Sequence, residues 1–243
     1  ADYAAGTWKA EYRQDEKPSL HDSPPPRFDL LTPNAYQLMP LQFTRGCPFT
    51  CEFCDIIVMY GRRPRAKTVA QVMDELETLR RLGARLVYFV DDNFIGNKKE
   101  VKALLSAIIQ WQDAHHYPVE FSTEASIDLS HDDELLELMW KAHFTSVFIG
   151  IESPRAASLR ETKKTQNLRT DLVESVRRIQ RAGIGVEAGD PASLLDLLDG
   201  PAEQLVHRVV DQDELAVDGV DRQWARVGGQ VGPTQCLQVD VPI

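Results

Sequence analysis

Three of the chain's four cysteines, Cys47, Cys51 and Cys54, fall in the single stretch RGCPFTCEFCD, from Arg45 to Asp55. The fourth, Cys236, lies near the C-terminus. A disulfide framework would spread an even cysteine set along a short secreted chain, and 243 residues with four cysteines do not fit that class. Structural zinc favours four ligands, usually as two C-x2-C or Cys/His pairs. Three thiolates on one short loop suit a four-iron cluster, with three irons held by protein and one left open. An open iron is a place where chemistry can occur.

Such a loop needs a scaffold, and the chain supplies alternating strand-like and helix-like segments. YQLMPLQFT reads as a strand entering the cysteine loop. TVAQVMDELETLRRLG places Val69, Val72, Leu76, Leu79 and Leu82 at helical spacing, with Thr68 as N-cap and Gly83 as stop. RLVYFVDDN is an apolar strand ending in acids, and KKEVKALLSAIIQWQDA is an amphipathic helix capped by Asn97. The alternation continues through PVEFSTEAS, DDELLELMWKAH, SVFIGIES, RTDLVESVRRIQRAG and IGVEAG. Five strands and four connecting helices therefore precede residue 190, each crossover long enough for a parallel connection.

Parallel α/β folds gather active sites at the C-terminal ends of their strands. There the chain puts the cysteine loop, then Asp91, Asp92 and Asn93, then Glu124 and Ser126, then Glu152 and Ser153. Any one of these acids could be a helix cap or a solvated loop residue. Polar residues at four successive strand ends predict one polar cavity above the cysteine loop. The basic run YGRRPRAK, residues 60–67, reads either as solvated surface or as a lid over anionic groups.

Composition narrows the classes further. Hydrophobic content of 43% and charged content of 26% belong to an ordinary globular protein. The N-terminal residues ADYAAGTWKAEYRQDEKPS have no apolar signal core, and no apolar run reaches membrane-spanning length. A cytoplasmic location with no membrane span is expected. The net charge of −10 argues against nucleic acid as a partner. Residues 1–38, with their proline-rich HDSPPPRF, read as a linker before a core at 39–189. Residues 190–243 carry ten acids against three bases and read as an unassigned acidic segment.

CPFTCEFC resembles the radical S-adenosylmethionine (SAM) signature, with the aromatic position filled by Phe53. RGCPFTCEFCDII, GRRPRAKT, VDDNFIGNKK, TEASIDL and FIGIESP are similar to the cobalamin-dependent branch, over about residues 7–189. The resemblance implies a partial (β/α)6 radical SAM (TIM-like) barrel. It implies a [4Fe–4S] cluster on Cys47, Cys51 and Cys54, SAM chelated at the open iron, and Phe53 beside the adenine. Asp91, Asp92 or Asn93 is then expected to face the SAM amino group. Glu124 and Ser126, and Glu152 and Ser153, are expected near its ribose or methionyl portion. SAM carries an ammonium and a sulfonium, so carboxylates are electrostatically sensible neighbours.

The implied activity is reductive cleavage of SAM to a 5′-deoxyadenosyl radical, serving cobalamin-dependent methyl transfer to unactivated carbon. The substrate would be a small molecule or lipid-like, since some relatives act on hopanoids, and the reductant a flavodoxin or ferredoxin. The competing readings are other radical chemistry, such as cyclisation or oxidation, or an inactive iron–sulfur-binding fragment. Two departures feed the last of these. No cobalamin-ligand loop precedes Gln42, where too few residues remain for a cobalamin domain, and the family wording stops near Gly189.

Overall fold

A computed structural model describes residues 2–14, 16–32 and 35–189. Cys236 and the acidic segment 190–243 lie outside them. The elements run β1 (Leu38–Leu41), β2 (Thr44–Arg45), α1 (Ile56–Met59), β3 (Arg65–Ala66), α2 (Val69–Arg81) and β4 (Leu86–Phe89). They continue α3 (Lys98–Ala114), β5 (Glu120–Ala125), α4 (Asp133–Lys141), β6 (Phe144–Ile149), α5 (Ala156–Glu161), α6 (Leu172–Arg181) and β7 (Gly185–Glu187).

Five strands form one all-parallel sheet in the order β1-β4-β5-β6-β7. Each neighbour is the next long strand in sequence, joined to it by a crossover that carries a helix. The small β2–β3 pair is antiparallel and stands apart, with Thr44 opposite Ala66 and Arg45 opposite Arg65.

The helices start where their side chains satisfy free N–H groups. Thr68 and Gln71 form a reciprocal capping box on α2, and Asp132 and Asp171 accept from Leu135 N and Glu174 N on α4 and α6. Asn97 caps α3, as its position predicts. The apolar stripes of these helices cover one face of the sheet. Val72, Leu76 and Leu79 of α2, Leu104 and Ile108 of α3, and Val176 and Ile179 of α6 are fully buried. They meet Val87, Phe89, Phe121, Phe144 and Val147 from the strands.

Phe89 lies 5.0, 5.6 and 5.7 Å from the rings of Phe94, Phe121 and Phe144, respectively. Each such ring contributes roughly 1.5–3 kcal/mol through burial. The opposite face carries Leu38, Tyr88, Glu124 and Glu187 and stays open. Strand alternation thus separates an apolar layer from a polar lumen.

The segment read as a linker packs in part onto the core. Leu20 and Phe28 are buried, and Gln71 Nε2 donates to the carbonyls of Leu20, His21 and Ser23. Lys17 Nζ donates to Met59 O at 2.6 Å, just past the cysteines. Among the described residues, no helix is long and apolar enough to cross a membrane.

Candidate active site

The β2–β3 pair pinches together the two ends of the loop that carries the cysteines. Gly46 begins that loop at φ +103°, where a Cβ would sit 2.8 Å from Gly61 O and 3.3 Å from Arg63 O. Only glycine fits both the left-handed backbone and the close strand approach. Cys47 N donates to Gly61 O at 3.2 Å and Cys54 N to Cys51 O at 3.2 Å, so the loop closes on itself. Cys47, Cys51 and Cys54 are all half-buried free thiols.

The basic run beside the loop divides: Arg62 and Arg63 are exposed, as the solvated-surface reading expects, while Arg65 and Lys67 are drawn into the structure. Lys67 is buried, with Nζ 2.7 Å from Glu75 Oε1 of α2. Arg65 donates to Tyr60 O and Pro18 O, and Arg62 to Pro48 O. These residues knit the loop to its base.

The three polar residues after β4 act as a ladder under the cysteines. Asp91 is 1% exposed, and its carboxylate accepts from Phe43 N at 2.8 Å and from Thr44 N and Thr44 Oγ1 at 2.7 Å. Burial pushes its carboxyl up to about 7, against these hydrogen bonds, which favour the ionised form. Asp91 therefore holds the strand–loop junction, with both carboxylate oxygens taken by donors of the protein itself. Asp92 Oδ2 accepts from Gly46 N at 2.7 Å, and burial pushes this carboxyl up as well. Asn93 Nδ2 reaches Cys47 Sγ at 3.9 Å and Ser126 Oγ at 3.1 Å. Ser126 is thereby drawn beneath the cysteine loop.

Glu124 sits on the lumen face, where Tyr88 OH donates to its Oε1 at 3.3 Å. Desolvation and then the nearby Asp92 charge push the Glu124 carboxyl up. Ser153 is spent locally, accepting from Arg155 N at 3.1 Å in the turn before α5. Glu152 adopts φ +63°, uncommon for a side chain other than glycine, and its Oε1 lies 2.6 Å from Lys164 Nζ. Lys164 also sits 5.6 Å from the centroid of the exposed Phe53 ring, a cation–π distance.

Sequence reasoning missed the segment that follows α5. Residues 162–168 lie across the cysteine loop: Glu52 N donates to Thr162 O at 2.9 Å, and Lys163 pairs with Glu52 at 2.6 Å. Gln166 Nε2 reaches Cys51 Sγ at 3.5 Å. Asn167 Nδ2 fastens the segment to Gly150 O and Ile151 O, both at 3.0 Å. The paired amides at Gln166 and Asn167 carry no motif, and the contact to Cys51 spans 115 positions.

The thiols suit an iron–sulfur group. Burial pushes the Cys47 thiol up; the Phe49 N–H and the Asn93 amide oppose this, while the Cys51 and Cys54 charges add to it. Ligation by a cation relieves such a penalty, because the metal replaces the proton. Two of the three sulfurs already face amide donors, the arrangement that tunes cluster ligands. Among the described residues, no three His, Cys, Asp or Glu side chains converge as ligands of a single ion.

Comparison with known proteins follows the same lines. The chain is 54% identical over 178 residues to the uncharacterised methyltransferase sll1242 of Synechocystis, covering 73% of this chain and 33% of that protein. It is 41% identical over 167 residues to the hopanoid C-2 methylase of Rhodopseudomonas palustris, covering 68% of this chain and 32% of that one. It thus spans about a third of the length of these relatives. The fold is similar to the cobalamin-dependent S-adenosylmethionine radical enzyme OxsB, with TM-score 0.61 and 20% identity over 77% of this chain and 30% of that one. The parallel sheet thus has the fold of part of that enzyme's barrel. The Radical SAM superfamily profile matches residues 41–200, from the end of β1 through the cysteine loop and past the boundary read at Gly189. With most of the chain inside that match, the protein belongs to the radical SAM superfamily.

Proposed function

We propose that this chain is the SAM-cleaving core of a cobalamin-dependent radical methyltransferase acting on unactivated carbon. One observation carries the reading: three half-buried thiols on a single loop, two of them facing amide N–H donors, above a strand-end lumen lined by carboxylates. When bound, a [4Fe–4S] cluster and SAM would supply a carbon-centred radical, with cobalamin as methyl source and a flavodoxin- or ferredoxin-type protein as reductant.

This chain's residues would do the holding. Cys47, Cys51 and Cys54 take the cluster, and Gly46 and the ladder beneath fix their loop. Phe53 offers an exposed aromatic face for the adenine, with Lys164 against it. Asp92, Glu124 and Glu152 present carboxylates for the positive groups of SAM, and Lys164 keeps the Glu152 carboxylate aimed. The similarity to a hopanoid methylase supports a lipid-like substrate.

Anaerobic reconstitution followed by a SAM-cleavage assay tests the reading. The protein is expected to take up about four irons and four sulfides and to form 5′-deoxyadenosine with a low-potential reductant. Stoichiometric zinc in place of iron would overturn it. Glu152→Gln is expected to weaken SAM binding several-fold, read by the SAM-induced change in the reduced cluster's EPR spectrum, while iron content stays unchanged. Unaltered SAM affinity would return Glu152 to a structural role.

A further inference from the structure

The segment from Thr162 to Leu168 belongs to no motif, yet it places a side-chain amide on a cysteine sulfur. Gln166 is 5% exposed and lies in a short 3-10 turn, Thr165–Leu168. Its Nε2 points at Cys51 Sγ at 3.5 Å, while its Oε1 is buried with no hydrogen-bond partner among the described residues. An amide that leaves its carbonyl unpaired to present its N–H to sulfur forgoes the hydrogen bond its oxygen would otherwise accept. The opposite orientation would set a carbonyl oxygen against a negative thiolate. A ligating Cys51 therefore selects the orientation observed.

The turn is rigid enough to hold this contact. Thr162 O accepts from Glu52 N, next in sequence to Cys51, and Lys163 pairs with the Glu52 side chain. Lys164, 10% exposed at its side chain, is anchored on Glu152, and Asn167 is bonded to the carbonyls of Gly150 and Ile151. Gln166 thus stands between two fastened neighbours. On the other flank, Asn93 reaches Cys47 Sγ only at 3.9 Å and shares its amide with Ser126. The Gln166 contact is the shorter of the two.

Resting on the radical SAM reading above, we infer that Gln166 is a positioning residue that raises the cluster's reduction potential by donating an N–H to Cys51 Sγ. A donor withdraws electron density from the ligating sulfur and stabilises the extra negative charge of the one-electron-reduced cluster more than that of the oxidised one. This makes the cluster easier to reduce by a weak donor, at the expense of driving force for cleaving SAM.

The test is an EPR-monitored redox titration of the reconstituted full chain, with dithionite as reductant, in the absence of SAM. Gln166→Leu removes the donor at similar volume, and Gln166→Glu puts a carboxylate beside the sulfur. Both are expected to keep full iron content and to shift the midpoint to more negative potential, Gln166→Glu further than Gln166→Leu. If Gln166→Leu loses iron, the neutral, iron-replete Gln166→Met takes its place: a negative shift supports the inference and an unmoved midpoint overturns it, since the charge of Gln166→Glu would lower the potential by itself. Unmoved midpoints in iron-replete variants overturn it, and so does loss of iron from both neutral variants, which would make Gln166 a prop for the loop. A wild-type chain that assembles no cluster defeats the functional reading itself, which separates the two failures.

Discussion

The two flanks of the cysteine loop are held by opposite chemistry. On the β4 side, Asp91 and Asp92 are acceptors that gather backbone N–H groups from Phe43, Thr44 and Gly46. On the α5 side, Thr162 offers a backbone carbonyl to the loop, and Gln166 offers an N–H to a sulfur. The first flank shapes the backbone of the loop. The second addresses a sulfur, so under the proposed function its contribution would become electronic with a cluster bound. Carboxylates serve the first task because they take several donors at once; beside a ligating sulfur the same charge would repel.

The largest effect bears on what both flanks serve. Cys47→Ala, Cys51→Ala and Cys54→Ala are each expected to abolish iron uptake on reconstitution, and Cys236→Ala to leave it intact. Equal dependence on Cys236, measured as iron per chain, would mean that the loop is not the whole protein-derived ligand set.

Next comes the acceptor flank. Asp91→Ala strips partners from two buried backbone N–H groups and a hydroxyl, and should cost roughly 3 kcal/mol or more in urea unfolding. Asp91→Asn keeps one acceptor and should cost less. The pH dependence has a definite sign. The folded-state carboxyl titrates near 7 against an ordinary 3.8, so between those values the native state holds the extra proton. Stability owed to Asp91 should therefore fall as pH rises from about 4 to about 7, and Asp91→Asn should flatten that slope. A slope unchanged by Asp91→Asn would place the titration elsewhere.

The smallest expected difference comes from two glycines, one on each flank. Gly46→Ala forces a Cβ to 2.8 Å from a backbone oxygen at positive φ, and should lose about 1–3 kcal/mol along with part of the iron uptake. At Gly150 the added Cβ meets two side-chain ends, Lys164 Nζ at 2.5 Å and Glu152 Oε1 at 2.7 Å, which are paired with each other. Gly150→Ala should be milder in thermal unfolding, because side-chain ends give way more readily than the backbone oxygens around Gly46, and an equal loss would show that the Lys164–Glu152 pair yields no more than that backbone.

Much of this was legible without coordinates. The cysteine spacing, the capping residues Thr68 and Asn97, and the strand–helix alternation are local signals, because caps and amphipathic periods depend on residues a few positions apart. Those signals gave the parallel sheet and put the cysteine loop at its C-terminal edge. The direction of each strand-end side chain was not local. Asp91 and Asp92 are adjacent and identical in type, yet Asp91 turns under Phe43 and Thr44 while Asp92 takes Gly46 N. Successive residues leaving a strand point to different sides, and only packing decides which partner waits there. Lys67 reads as one more surface cation until α2 brings Glu75 against it. By itself the sequence determined which atoms could hold a metal and on what kind of edge. The tertiary structure alone decided what touches those atoms, because Gln166 reaches Cys51 across 115 positions and no periodicity encodes a contact of that range.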